Sequence, residues 1–451
     1  MSLTPLLQFR IARLHKLFLC TGVALSFACS LGASASAETL EEALAAAASS
    51  HPTIQAGQAA KEAAVEQVIE ERSGYFPVIT TDAAFGRVYG DNATSRGLSV
   101  TRGAGYSYMG EGSVSANQLI YDFQQTPHRV AAAEAREEVA EIQITDAREN
   151  LMLNTTLNYL NVLRLRETLT ALNEYYKRLA SYDERITAMV AEGAADESES
   201  QLAKQVMLDV RSLLADFEGQ MQAANAAYAE TTGHLPSGPL VRPMPVTIQD
   251  EVESAILYAK EKHPQVMAAQ ATINAETEEI DAETAALLPR FDGELSYYQK
   301  DVNDVIGGEV ADARALVRMK WDISTGGAEF ARKRKSIAEA GQAKAQKDEL
   351  IRTIETQVRS SYATASALSR QKELKAEKLK ISAGLLETYR NQFEAGKVKL
   401  PQIMQAENQY LQTKVDYLAT DYRSLGALYA ILASQGRLSQ SLAMAQTAQT
   451  E

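Results

Sequence analysis

Cysteine is almost missing from this chain: Cys20 and Cys29 are the only two, and both fall in the first 30 residues. If that stretch is removed, the remainder has no thiol, which excludes disulfides, thiol catalysis and Cys-ligated zinc. Histidine is also scarce, at five in 451 residues. There is no Gly-rich phosphate loop and no closely spaced His/acid set, so neither an enzyme nor a resident metal or cofactor is expected. Beyond the N-terminus no run of 18 apolar residues occurs, which excludes a later transmembrane helix. Any entry into a membrane would have to be made by strands.

The N-terminus has the form of a secretory signal. Arg10, Arg13 and Lys16 precede an apolar run from Leu17 to about Leu31, and Ala35-Ser36-Ala37 offers a small-x-small cleavage site before Glu38. Residues 1–37 are therefore read as a signal peptide. A spanning anchor would need a longer run. A lipidated Cys29 would need a Leu three places upstream, where Ser26 stands. Removing three positive charges and no negative ones moves the formal net charge from −13 to −16. So acidic a chain is a poor nucleic-acid binder.

What is present is an internal repeat. His51-Pro52 recurs as His263-Pro264, and Pro77 recurs as Pro289 at the same offset. Tyr121-Asp122-Phe123 answers Trp321-Asp322-Ile323. Tyr159, Gly193 and Gly233 answer Tyr362, Gly396 and Gly436 at one shared offset. Each half reads as short helix, strand region, long helix, glycine break and medium helix. The first repeat is placed at 38–238, with a helix, two strands near 78–123, a long helix over 126–190 and a helix over 198–232. A linker, rich in proline from Pro236 to Pro245, covers 239–250. The second repeat is placed at 251–438, with a helix, two strands near 290–323, a long helix over 327–391 and a helix over 400–434. A disordered tail is expected over 439–451.

The long helices would each extend about 95 Å at 1.5 Å per residue, too far for an ordinary globular core. Val162, Leu165, Leu169, Leu172, Tyr176 and Leu179 form a narrow stripe, as do Leu379, Leu386, Tyr389 and Phe393. Such stripes suit coiled-coil packing within a wall. A short and a medium helix placed end to end match one long helix in length. In the last strand region Ala315, Val317, Met319, Trp321 and Ile323 alternate with Leu316, Arg318, Lys320 and Asp322. That is the two-faced pattern of an outer-membrane strand, although a half-buried soluble strand has the same form. Four strands cannot close a barrel alone, so a membrane reading requires several copies.

Taken together, the signal, the two repeats, the paired strands before very long helices and the Gly-centred hairpins resemble the TolC family of outer-membrane efflux proteins. The resemblance covers nearly the whole mature chain. It implies a mainly α fold with a small β part: a homotrimer whose 12-stranded outer-membrane β-barrel continues into a 12-helix periplasmic α-barrel. It further implies an exit duct in the cell outer membrane, docked to a periplasmic adaptor and to an inner-membrane ABC transporter or proton-driven pump. Its expected use is type I protein secretion, efflux or both. The alternatives are a dedicated drug or metal efflux channel and a pore-less periplasmic coiled-coil scaffold.

Family pattern puts the entrance at the hairpin tips, near Gly193 and Gly396. Where some members carry aspartates six and nine residues after the second glycine, this chain has Gln402 and Gln405. Glu199 takes the corresponding place after the first. Asp196, Glu197 and Glu199 form either an acidic ring or a solvated helix N-terminus. Phe393 is either a gate aromatic or ordinary stripe packing. Tyr121 and Trp321 are expected at the membrane interface beside outer-membrane lipid, and Pro77 and Pro289 at the helix-to-strand transitions. Arg332-Lys333-Arg334-Lys335 is either a solvated face or a contact for anionic groups.

Overall fold

The structure, a computed structural model, describes residues 37–90, 105–248, 250–302, 309–323 and 325–442. The expected signal, apart from Ala37, lies outside the described residues, as does 443–451. The chain runs α1 (Leu40–Ser50), α2 (Pro52–Arg72), a 3-10 turn (Ser73–Tyr75), β1 (Val78–Gly90), β2 (Gly105–Tyr121), α3 (Gln125–Ala191) and α4 (Glu197–Thr232). The second half repeats this order as α5 (Val252–Lys262), α6 (Pro264–Ala285), β3 (Arg290–Val302), β4 (Val310–Lys320), α7 (Ala328–Glu394) and α8 (Leu400–Ser434).

Local chemistry sets the breaks. His51 and His263 each end one helix and cap the next: their Nδ1 atoms accept the Thr53 and Gln265 backbone N–H groups, both at 3.2 Å, and proline follows at the first helical position. The 11-residue helices α1 and α5 before these caps are additional to the elements read from the sequence. At Gly193 and Gly396 the chain takes φ of 74° and 69°. There the next residue's N–H bonds back five residues, Ala194 to Met189 and Lys397 to Gln392, both at 2.8 Å. This is the Schellman closure, which glycine makes without strain.

The helices form a wall one layer thick. Along α3, α2 and α4 lie end to end on one side, and α6 and α8 lie end to end on the other, between α3 and α7. Equivalent tyrosines pin the segments that enter each repeat. The Tyr159 hydroxyl lies 2.8 and 2.6 Å from the Glu38 and Val241 carbonyls, and the Tyr362 hydroxyl donates to Asp250 O at 3.1 Å. Around Tyr159 the wall thickens into its main core, with Leu40, Leu163, Tyr228, Tyr429 and Leu438 buried. A second cluster follows the hairpins toward their tips, where Leu172 and Ile186 of α3 and Leu214 of α4 pack with Leu400, Ile403 and Met404 of α8.

The tail corrects one expectation. Residues 438–442 are helical, Leu438 and Leu442 are buried, and the buried Glu149 carboxylate accepts the Leu438 and Ser439 N–H groups at 2.7 and 2.9 Å. Those two N–H groups open a helix and need acceptors, which composition does not reveal. Disorder from residue 439 therefore does not hold for 439–442.

Candidate functional site

The four strands form one antiparallel sheet in the order β1-β2-β3-β4, with β1 and β4 at its edges. Because side chains alternate, the register fixes two faces. One carries Ile79, Phe85, Val114, Leu295, Tyr297, Val317 and Met319. No other described part of the chain covers it: Phe85 is 84%, Val317 72% and Ile79 70% exposed. The other face is ionic. Glu111 pairs with Lys300 at 3.8 Å and accepts the Tyr298 hydroxyl at 3.0 Å, while Glu294 pairs with Arg318 and Asp312 with Arg314.

An apolar patch this extensive is unusual on a soluble monomer and suits lipid, with the ionic face turned to water. Pro77 and Pro289 stand immediately before β1 and β3. At the same end Tyr121 packs at a tilt of 54° against Phe123, with ring centroids 4.8 Å apart. Trp321, half exposed, donates its Nε1–H to Leu287 O at 3.1 Å. The indole thus presents an apolar body beside a satisfied polar end.

At the opposite end of the helices are the two hairpin tips. Asp196 caps α4, its carboxylate accepting the Ser198 N–H at 2.9 Å. That bond, with help from Lys399, holds its carboxyl below the usual carboxylate range. Glu197 is exposed and Glu199 half-buried. On the second tip the Gln402 side chain accepts the Lys399 N–H at 3.1 Å, closing the start of α8, and Gln405 is exposed. The tips thus differ in charge, with Asp196, Glu197 and Glu199 on the first and Lys397 and Lys399 on the second. Phe393 is buried, edge-on to Tyr182 at 5.7 Å, with the Arg185 guanidinium 5.2 Å from its ring.

Beside Phe393 lies a group that the sequence reading missed. Glu407, fully buried on α8, pairs with Arg178 of α3 at 3.1 Å and with Arg390 of α7 at 2.6 Å. The Tyr182 hydroxyl donates to the same carboxylate at 3.1 Å. Burial and the Glu407 charge push the Tyr182 phenol up to about 12. Both hairpins are therefore fastened to one carboxylate, in surroundings where loss of a partner is costly. A signal was available: Leu400, Ile403, Met404, Glu407 and Leu411 share one helical phase, so Glu407 is a charge on an apolar stripe.

Comparison with known proteins agrees with this architecture. The family model described as outer membrane efflux protein matches residues 43–234 and 256–437, one match to each repeat. The outer membrane efflux protein BepC of Brucella suis is 24% identical over 457 residues, covering 98% of this chain and 95% of its own. Among solved structures, the Campylobacter jejuni CmeC outer membrane channel superposes with a TM-score of 0.76 at 14% identity, over 88% of this chain and 85% of its own. A membrane protein from Pseudomonas aeruginosa gives 0.75 at 19% identity, over 88% and 90%. At these identities the superpositions speak for the fold alone.

Proposed function

Because this chain belongs to the outer membrane efflux protein family, we propose that three copies close into one passive duct, the outer-membrane exit of a tripartite export system. The observation that carries this reading is that sheet and helix wall both stop at free edges. Among the described residues β1 and β4 have unpaired outer sides, and α7 packs only toward α5, α6 and α8. An unpaired strand edge is not tolerated in hydrocarbon, so the sheet must close with further copies. Three copies give twelve strands and a ring twelve helices around, with the apolar face toward lipid and the ionic face toward the lumen.

The flanks that would meet are complementary. α7 presents Arg334 beside exposed Phe330 and Ile337, and α2 presents exposed Glu62, Glu66 and Glu70 beside Ile69. Opposite charges set among apolar groups favour one head-to-tail register. Closure of this kind makes a ring, as a heterologous interface does when its rotation closes.

The entrance is read at the tips around Gly193 and Gly396. Glu407, with Arg178, Arg390 and Tyr182, holds the two hairpins together at rest, and contact with a periplasmic adaptor loosens them. The inner-membrane partner, an ABC transporter or a proton-driven pump, supplies the energy. Asp196, Glu197 and Glu199 are offset in part by Lys397 and Lys399, while Gln402 and Gln405 are neutral, so these residues leave a charge of −1 per chain and the resting entrance weakly favours cations. The same duct serves type I secretion, small-molecule efflux or both.

Recording from purified protein in a planar bilayer tests the reading. Small resting conductance is expected, rising several-fold in Glu407→Gln. Absence of any conductance in both proteins would exclude a duct and favour a scaffold.

A further inference from the structure

Four histidines lie within the described residues, and three have ring contacts with backbone. His51 and His263 accept helix N–H groups, and His234 Nδ1 lies 3.0 Å from Leu235 O. His128, in the first turn of α3, has a different setting. Its Nδ1 is 2.7 Å from the Glu278 carboxylate on α6. Asp281 follows one turn later, at the i,i+3 spacing that puts both carboxylates on one side of the helix. One ligand atom from each of the three residues lies within 4.8 Å of the others.

The charges around α6 make this cluster unusual. Its acidic residues Glu279 and Glu283 are paired with Arg136 at 3.2 Å and Arg332 at 3.6 Å. Glu278 and Asp281 point to another side of the helix. Among the described residues, neither has a lysine or arginine within ion-pair distance. Two carboxylates without a lysine or arginine partner, set beside an imidazole, are a donor set whose charge a divalent cation would offset.

The donor types narrow the choice of ion. One imidazole nitrogen with two carboxylate oxygens suits a borderline ion such as Zn²⁺, whereas Ca²⁺ and Mg²⁺ prefer oxygen alone and Cu⁺ prefers sulfur. Donors each about 2.0–2.2 Å from a zinc ion are roughly 3.3 Å apart in a tetrahedron. The His128–Glu278 contact, a hydrogen bond at 2.7 Å, gives up its proton and opens by roughly 0.6 Å for both atoms to reach one ion, and the third donor, on exposed Asp281, already lies within 4.8 Å of them. We propose that His128, Glu278 and Asp281 bind one divalent transition-metal ion of the zinc class per chain, with water completing the coordination.

The ion ties the first turns of α3, just below the sheet, to the end of α6. All three ligands come from one chain, so the proposal does not depend on assembly or conductance.

The test uses full-length processed protein in detergent, stripped with EDTA and free of any histidine tag. Titration with ZnCl₂, followed by calorimetry and by metal analysis after desalting, is expected to saturate at one ion per chain. His128→Ala and Asp281→Asn should each weaken binding by about tenfold or more. Glu279→Gln, which removes a carboxylate paired with arginine on the same helix, should bind as the parent does. Asp281 is exposed, so its variant keeps the test valid should His128→Ala fold poorly. No saturable binding by the parent, or parental affinity in both ligand variants, would overturn the proposal.

Discussion

The two long helices have equal length and unequal surroundings. Both α3 and α7 span 67 residues, yet α3 buries eighteen of them and α7 only ten. Among the described residues α3 has neighbours on both sides, α2 and α4 on one and α6 and α8 on the other, whereas α7 has neighbours on one side only. Leu374, Ile381 and Leu385, spaced seven and four apart, remain exposed on α7. A second stripe at helical spacing on a helix that already has a buried one is the mark of an unfinished interface. Helix length is set within the chain; burial depends on where the chain stands in a larger wall.

The most severe way to break this contrast is to charge the α7 stripe. Leu374→Glu with Ile381→Glu is expected to abolish the proposed trimer, read by light scattering on detergent-solubilised protein. Burying one such side chain contributes about 1.5–3 kcal/mol, so two in each of three interfaces amount to about 9–18 kcal/mol. Intact trimers would mean that the α7 stripe lies in open water instead.

A smaller effect is expected where the contrast disappears, at the carboxylate that joins α3 and α7. Glu407→Gln leaves Arg178 and Arg390 without their charge partner and should lower stability by about 3–5 kcal/mol, read in denaturant or thermal melts. An unchanged midpoint would show that water already solvates both guanidinium groups.

The smallest effect sharpens a difference between the repeats at their strand-to-helix junctions. Positive φ occurs at Phe123 (54°) and Gln124 (72°) in the first repeat and at Gly326 (72°) and Gly327 (87°) in the second. Only glycine adopts this conformation without cost; the first junction offsets part of it by donating Thr126 N–H to the Asp122 carboxylate at 2.8 Å. Gln124→Gly should stabilise by about 1 kcal/mol and Gly327→Gln should destabilise by a similar amount, measured as opposite shifts in melting temperature. A Gln124→Gly variant that melts with the parent would mean that Asp122 already relieves the strain.

Much of the architecture was legible because it rests on short-range rules. The matched offsets of His-Pro, Tyr and Gly revealed the repeat. Prolines and glycines stop helices through their own backbone preferences, and the alternation in β4 follows from the pleat. The candidate site was less legible. Gly193 and Gly396 locate the tips, but the charge balance there depends on Lys397 and Lys399 of the second repeat answering the Asp196 group of the first. Glu407 meets Arg178 across 229 positions and His128 meets Glu278 across 150. No spacing rule connects residues so far apart.

The sequence by itself determined the mainly helical fold with a small β part, its twofold repetition and the need for partners, since narrow stripes and four strands cannot enclose a core. Only the tertiary structure decided which charges meet, which flank of α7 stays bare and that residues 438–442 dock under Glu149. The reason is physical. Propensity, capping and periodicity act over one or two turns, whereas ion pairs and burial depend on where distant helices cross.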